Sequence, residues 1–246
     1  MVYIKERERA VLPSMCDHTA KMSVTALLNE FMDIATLHAE ELGVGAEALA
    51  KGSMFWLTVK TRVKISRLPH MMENVYVRTW PEHKDGTRYN RYYSMEKDGK
   101  VLAEGMTEWS VINTSTGRLV KDLAIYPESI IEEHPRPCGE PFERFPKDLS
   151  DTEMIGEYTV RSTDIDLGGH MNNVAYYRAL MSMLSSKEIE ALFPGTVELQ
   201  YRSSIYEGDT VALLSRLSDY KKEFYFVKAD QSISFHASII SHGDNV

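Results

Sequence analysis

Two stretches of the chain place apolar residues on nearly every side of a helix. The first covers residues 24–42, with Val24, Ala26, Leu27, Leu28, Phe31, Met32, Ile34, Ala35, Leu37 and Ala39. The second covers 174–184, with Val174, Ala175, Tyr176, Tyr177, Ala179, Leu180, Met181, Met183 and Leu184. A helix with so wide an apolar surface is buried rather than laid on an exterior. Each is followed by four runs rich in Val, Ile, Tyr, Phe and Thr, which read as strands. These runs are 55–66, 74–81, 87–97 and 101–113 after the first helix, and 196–206, 210–218, 223–229 and 232–242 after the second. Lys84-Asp85-Gly86, Lys97-Asp98-Gly99-Lys100 and Glu207-Gly208-Asp209 supply turns between them. The pattern predicts an α+β protein made of two copies of a long buried helix wrapped by an antiparallel sheet.

The copies align at an offset of 149 positions, which puts Asp17 under Asp166, Lys21 under His170, Met22 under Met171 and Ala26 under Ala175. The first copy keeps the acid but lacks the histidine, a glycine pair and two asparagines that the second copy carries. Chemistry is therefore expected in the second copy, with the first kept for structure and substrate binding. Residues 124–150 contain Pro127, Pro135, Pro137, Pro141 and Pro146 and read as a linker ordered against the surface without secondary structure. The expected domains are 1–123, a linker at 124–150, and a catalytic domain at 151–246.

The densest chemistry is Asp166-Leu167-Gly168-Gly169-His170-Met171-Asn172-Asn173, directly before the second helix. Glycines allow a tight turn and close backbone approach. Asn172 or Asn173 suits a helix N-cap. The N–H groups of a helix start can hold negative charge. Asp166 reads either as a turn cap or as a general base or nucleophile. His170 could orient water or polarise a carbonyl. The backbone N–H groups of Gly168, Gly169 and His170 are the expected oxyanion hole, and Asn172 is shared between capping and substrate contact.

Net charge is −8, which excludes a general nucleic-acid binder. No apolar run is long enough to span a bilayer. Residues 1–9 are charged and hold no apolar signal-peptide core, so the expected location is the cytoplasm. Cys16 and Cys138 lie far apart without metal-type spacing, so no disulfide, metal or cofactor is called for.

The run Asp-x-x-x-His-x-Asn-Asn-x-x-Tyr resembles the signature of hotdog-fold thioesterases, most closely those acting on acyl carrier protein (ACP). Phe55-Trp56-Leu57-Thr58-Val59, Arg78-Thr79-Trp80, Trp109-Ser110-Val111-Ile112-Asn113 and Gly117-Arg118-Leu119 are similar to that family's first half, and Glu198-Leu199-Gln200-Tyr201-Arg202 to its second. The resemblance implies a tandem (double) hotdog that hydrolyses fatty acyl-ACP and ends fatty-acid synthesis. Alternatives of the same fold are an acyl-CoA thioesterase and a non-catalytic acyl-binding protein. The plant-type pattern has Asn where Gly168 stands, and Glu-Cys where Ser204-Ile205 stand. A cysteine nucleophile is therefore not expected; Asp166 carries more of the chemistry, and Ser204 becomes a supporting hydrogen-bond candidate. From the family position of the acyl tunnel, Met32 and Trp56 are expected to line it. An acidic carrier protein needs a basic docking patch, for which Arg178, Lys221 and Lys222 are expected, with Arg161 and Arg202 near them. A homodimer is compatible with the sequence.

Overall fold

The computed structural model describes residues 3–218 and 220–242; the first two residues of the expected N-terminal domain and the last four of the expected C-terminal domain lie outside them. In chain order the elements are β1 (Lys5–Ala10), α1 (Val24–Glu41), α2 (Ala46–Lys51), β2 (Met54–Ile65), β3 (Asn74–Pro81), β4 (Tyr89–Lys97), β5 (Lys100–Asn113) and β6 (Arg118–Leu119). There follow β7 (Glu153–Thr159), α3 (Asn173–Met181), α4 (Ser186–Glu190), β8 (Gly195–Tyr201), β9 (Thr210–Leu217), β10 (Lys221–Val227) and β11 (Ile233–Ser241). The chain divides into two compact units, Met1–Gly139 and Glu140–Val246.

In the first unit the strands run β1-β3-β4-β5-β2, all antiparallel, with β6 paired to β5. Helix α1 starts at Ser23, whose side chain accepts from Ala26 N, and buries Val24, Leu27, Leu28, Phe31, Ile34 and Ala35. Phe31 stacks on Tyr93 of β4 at 4.8 Å between ring centroids. Gly105 of β5 makes room for it, since a Cβ there would stand 3.2 Å from Phe31 Cε2 and 3.1 Å from the Arg62 carbonyl. Burying such a ring is worth about 1.5–3 kcal/mol.

Strand β1 was not among the expected strands. Its sequence alternates charges, so no apolar period marks it. Its structural anchor is Glu30, a buried residue of α1 that Arg7 and Arg9 reach at 2.6 and 3.1 Å.

In the second unit the strands run β8-β11-β10-β9-β7, again antiparallel. Helix α3 buries Val174, Ala175, Tyr176, Tyr177, Ala179 and Leu180. Tyr176 packs among Phe235, Tyr201 and Phe226 at centroid distances of 5.1, 5.5 and 5.8 Å. The helix was expected to reach residue 184 but ends at Met181. Ser182 donates its hydroxyl back to the Ala179 carbonyl, and Ser185 starts α4 through a capping box with Glu188. Serine competes for backbone groups and suits such breaks better than helix interiors. Expected strand 196–206 also stops early, at Tyr201, and the chain that follows turns toward α3.

The proline-rich stretch forms no strand and only one short 3-10 turn, Glu128–Ile130. Its first part packs Tyr126, Ile131 and Cys138 into the first unit. Its second part lies along the second unit's sheet, where Glu143 N donates to Glu198 (3.0 Å) and Gln200 Nε2 to the Glu143 carbonyl (3.0 Å). The boundary between units falls inside this stretch. Among the described residues no helix is long and apolar enough to cross a membrane.

Candidate active site

The chain before α3 forms a closed turn built on Asp166. Asp166 N donates to the His170 carbonyl (3.0 Å), and Gly169 N donates to the Asp166 carbonyl (3.0 Å). Gly168 N donates to Asp166 Oδ1 at 2.7 Å. Ile165 and Met171 pair across the base of the turn. Gly169 sits at φ +74°, the left-handed region that a glycine enters without steric cost. Asn172 is the N-cap of α3, its Oδ1 accepting from Val174 N at 2.9 Å.

The same turn stands at the start of α1. Asp17 N donates to the Lys21 carbonyl (2.9 Å), Ala20 N to the Asp17 carbonyl (3.1 Å) and Thr19 N to Asp17 Oδ1 (2.8 Å). Cys16 and Met22 pair at its base, and Ala20 takes φ +58°. Every one of these contacts is displaced by the 149-residue offset seen in the sequence. The turn is thus a backbone device shared by both units, and the side chains placed on it differ. His170 stands where Lys21 does, and the two glycines stand where Thr19 and Ala20 do.

In the second unit the turn brings Asp166 and His170 together, with Asp166 Oδ1 3.7 Å from His170 Nδ1 and both side chains about one-fifth exposed. His170 Nδ1 also lies 3.4 Å from the Met171 carbonyl. Gly168 has no room for a side chain, because a Cβ would stand 2.9 Å from His170 Nε2 and 3.0 Å from Asp166 Oδ1. Asp166 Oδ1 is held by the turn, while Oδ2 receives no hydrogen bond from the described residues. One carboxylate oxygen is therefore held by the turn and the other is left without a donor, an arrangement compatible with a base or nucleophile.

The N–H groups of Gly168 and Gly169, expected in the oxyanion hole, are both spent on Asp166 inside the turn. Two further N–H groups at the start of α3, those of Val174 and Ala175, are spent on Asn172. Asn172 itself is exposed, and among the described residues its side-chain N–H₂ has no acceptor.

Ser204 lies in the segment after β8 that borders this turn. Three consecutive carbonyls of that segment are each held by a different element. Ser203 O accepts from the Tyr176 hydroxyl at 3.4 Å, Ser204 O from Lys228 Nζ at 2.7 Å, and Ile205 O from Met171 N at 2.8 Å. Sequence reasoning missed Tyr176 and Lys228. Tyr176 is inside the motif, where its aromatic character hid it among core residues. Lys228 arrives from the far end of β10 and has no signal near the motif. Burial first, and then the Asp166 charge among others, push the Tyr176 hydroxyl well above its ordinary range, so it stays a protonated donor.

The residues expected to dock a partner are largely engaged at home. Arg178 Nη2 pairs with buried Asp164 at 2.7 Å. Lys221 Nζ pairs with Glu143 (2.7 Å) and Glu223 (3.3 Å). Lys222 follows Lys221 on β10 and so points to the opposite face of the sheet; its charge acts on Glu188 of α4. Arg202 lies 4.7 Å above the Phe145 ring.

Trp56 donates Nε1–H to the Val44 carbonyl at 2.8 Å and packs against a cluster that includes Leu42, Val44, Leu49 and Tyr89. Met32 is half-buried on α1. Among the described residues no group of three or more His, Cys, Asp or Glu side chains is placed to hold a metal ion.

Residues 4–128 match the model of the acyl-ACP thioesterase N-terminal domain, and residues 147–245 that of the C-terminal domain. Among curated relatives, oleoyl-acyl carrier protein thioesterase 1, chloroplastic, of Arabidopsis thaliana is 24% identical over 211 residues, 78% of this chain and 58% of that protein. Palmitoyl-acyl carrier protein thioesterase, chloroplastic, of Gossypium hirsutum is 26% identical over 234 residues, 84% of this chain and 53% of that protein. The chain thus spans little more than half the length of these relatives. Among solved structures, an acyl-ACP thioesterase from Bacteroides thetaiotaomicron superposes with a TM-score of 0.83 at 21% identity, covering 97% of both chains. The 12:0-ACP thioesterase from Umbellularia californica does so with a TM-score of 0.84 at 17% identity, covering 98% of this chain and 97% of that one. The fold is the double hotdog of these structures.

Proposed function

Because the chain belongs to the acyl-ACP thioesterase family, we propose that it hydrolyses fatty acyl thioesters on acyl carrier protein. The products are the free fatty acid and the carrier with its thiol restored, which ends chain growth. The observation that carries this reading is the Asp166 turn, with one carboxylate oxygen tethered by Gly168 N–H, the other open, and His170 alongside.

Asp166 is the general base. Its Oδ2 takes a proton from water as the water oxygen bonds to the thioester carbon. Negative charge then develops on the carbonyl oxygen. The Asn172 side-chain amide and the His170 ring are the donors assigned to it, in place of the glycine N–H groups held by the turn. Collapse of the intermediate expels the thiolate, which recovers the proton from Asp166. In the covalent variant Asp166 itself attacks the thioester carbon and expels the thiolate, giving an anhydride that water then opens, one water proton passing to the thiolate. Hydrolysis in ¹⁸O-water under single turnover detects the covalent route, since label enters Asp166 only when water opens an anhydride at the aspartyl carbon. Ser204 acts through its backbone, which Lys228 fixes beside the turn. The second unit is the catalytic domain, and the first unit holds the acyl chain.

The test is release of free thiol from a panel of acyl-ACPs and acyl-CoAs incubated with the purified protein. Cleavage of acyl-ACP in preference to the matching acyl-CoA is expected. Preference for acyl-CoA would remove the carrier protein from the account. Cleavage of neither would leave a non-catalytic acyl-binding protein.

A further inference from the structure

A polar belt crosses the inner face of the first unit's sheet. Arg91 of β4 is 8% exposed, with Nη1 3.0 Å from His38 Nδ1 of α1 and 3.3 Å from Thr79 Oγ1 of β3. The groups that act on its charge are the hydroxyls of Tyr93, Tyr126 and Tyr3, and no described carboxylate pairs with it. Two residues along the same strand, on the same face, the Tyr93 hydroxyl is buried without a hydrogen-bond partner. The Trp109 Nε1–H of β5 is buried without an acceptor as well. The two orphans are neighbours: Thr107 and the Trp109 Nε1–H stand beside the Tyr93 hydroxyl, near enough to act on it but outside good hydrogen-bond geometry.

The belt is set in apolar surroundings. Phe31 stacks on Tyr93, and Trp109 packs with Trp56 against the cluster that holds Tyr89 and Val111. Buried polar groups in folded proteins are nearly always paired, and a buried unpaired charge is costly. Here a guanidinium that meets no carboxylate faces one imidazole nitrogen and a few hydroxyls. The group that completes such a belt carries acceptor oxygens and an apolar chain.

We propose that this inner face holds the substrate's acyl chain and that the belt selects chains bearing an oxygen substituent, whether hydroxyl, keto or carboxyl. The proposal rests on the thioesterase reading above and names its substrate class. No new covalent step is involved; the belt acts on binding alone.

The experiment compares ACP thioesters of one chain length: unsubstituted, 3-hydroxy, 3-keto, ω-hydroxy and ω-carboxy. Wild type, Arg91→Met and Tyr93→Phe are assayed for kcat/KM. The expected wild-type preference for at least one oxygenated chain is about tenfold, the factor one charge-assisted hydrogen bond supplies. The favoured member identifies which oxygen group is read. In Arg91→Met the preference should fall to about unity, and Tyr93→Phe, which removes a single hydroxyl, should reduce it severalfold. Equal rates on all chains in the wild type, or a preference unaltered in both variants, would overturn the proposal. The matching free acids are titrated in parallel, read by Trp fluorescence and thermal shift. If no thioester is cleaved but oxygenated acids still bind better to wild type than to Arg91→Met, the belt stands and the hydrolase reading fails.

Discussion

Arg178→Met separates a structural role from a docking role at a position where the sequence suggested docking. Asp164 is 3% exposed and takes hydrogen bonds from Arg161 N (2.9 Å), the Tyr158 hydroxyl (2.8 Å) and Arg178 Nη2 (2.7 Å). Its carbonyl also accepts from Asn172 N at 2.8 Å, which ties it to the cap of α3. A hydrogen bond to a charged group is worth about 1.5–3 kcal/mol net. Arg178 is half-exposed, and solvent screens its end of the pair, so a loss of about 1–2 kcal/mol is expected. For a protein of this size that is about 2–8 °C in Tm. The pair also has a pH signature. Although burial opposes ionisation, the donors together hold the Asp164 carboxyl below its ordinary value. A depressed carboxylate contributes stability above the unfolded pKa, near 4, and loses it as pH falls through the folded value. Arg178→Met should therefore flatten the fall of Tm between about pH 5 and pH 3. The assay is thermal unfolding across that range, beside KM for acyl-ACP at low and high salt. An unchanged Tm with a raised, salt-sensitive KM would refute the structural reading and restore Arg178 to the docking surface.

Gly168→Ala should lower kcat about a hundredfold by pushing His170 off Asp166, with the fold retained by circular dichroism. Gly169→Ala meets open space, and Ala20 already holds the equivalent left-handed conformation, so about 1 kcal/mol of stability and a far smaller loss of kcat are expected by urea titration and kinetics. Lys221→Met should lower Tm, because Glu143 and Glu223 lose their shared cation, and should leave the salt dependence of turnover alone. Ser23→Ala should destabilise the first unit by about 1 kcal/mol in urea through loss of the α1 cap.

Helices α1 and α3 and strands β2–β5 and β8–β11 were legible because apolar period and turn residues agree there, as in Tyr89–Lys97 and its flanking Asp-Gly turns. The offset of 149 was legible too, and it proved to be a repeat of hydrogen bonds at Asp17 and Asp166, not only of residue types. Strands β1 and β7 were not legible. Each lies at one end of its unit's strand order and offers only charges or mixed polarity, so their pairing is fixed by partners far away, Glu30 for Arg7 and Arg9. Helix α2 was hidden because Leu49 is its single buried residue. The site was legible as a motif but not as geometry. Nothing in Gly168-Gly169 says that their N–H groups turn inward to Asp166. Nothing local announces that Lys228 crosses to Ser204, or that Arg178 and Lys221 have acidic partners of their own.

The central claim, that Asp166 of the second unit performs the chemistry on a turn both units share, is tested most directly by single-turnover hydrolysis of acyl-ACP with Asp166→Asn and Asp17→Asn. Asparagine keeps the Oδ1 acceptor that closes each turn, so both proteins should fold. Asp166→Asn should lose on the order of a hundredfold or more in the chemical step, while Asp17→Asn stays near the wild-type rate. Near-wild-type turnover by folded Asp166→Asn, or an equal loss in Asp17→Asn, would contradict the account.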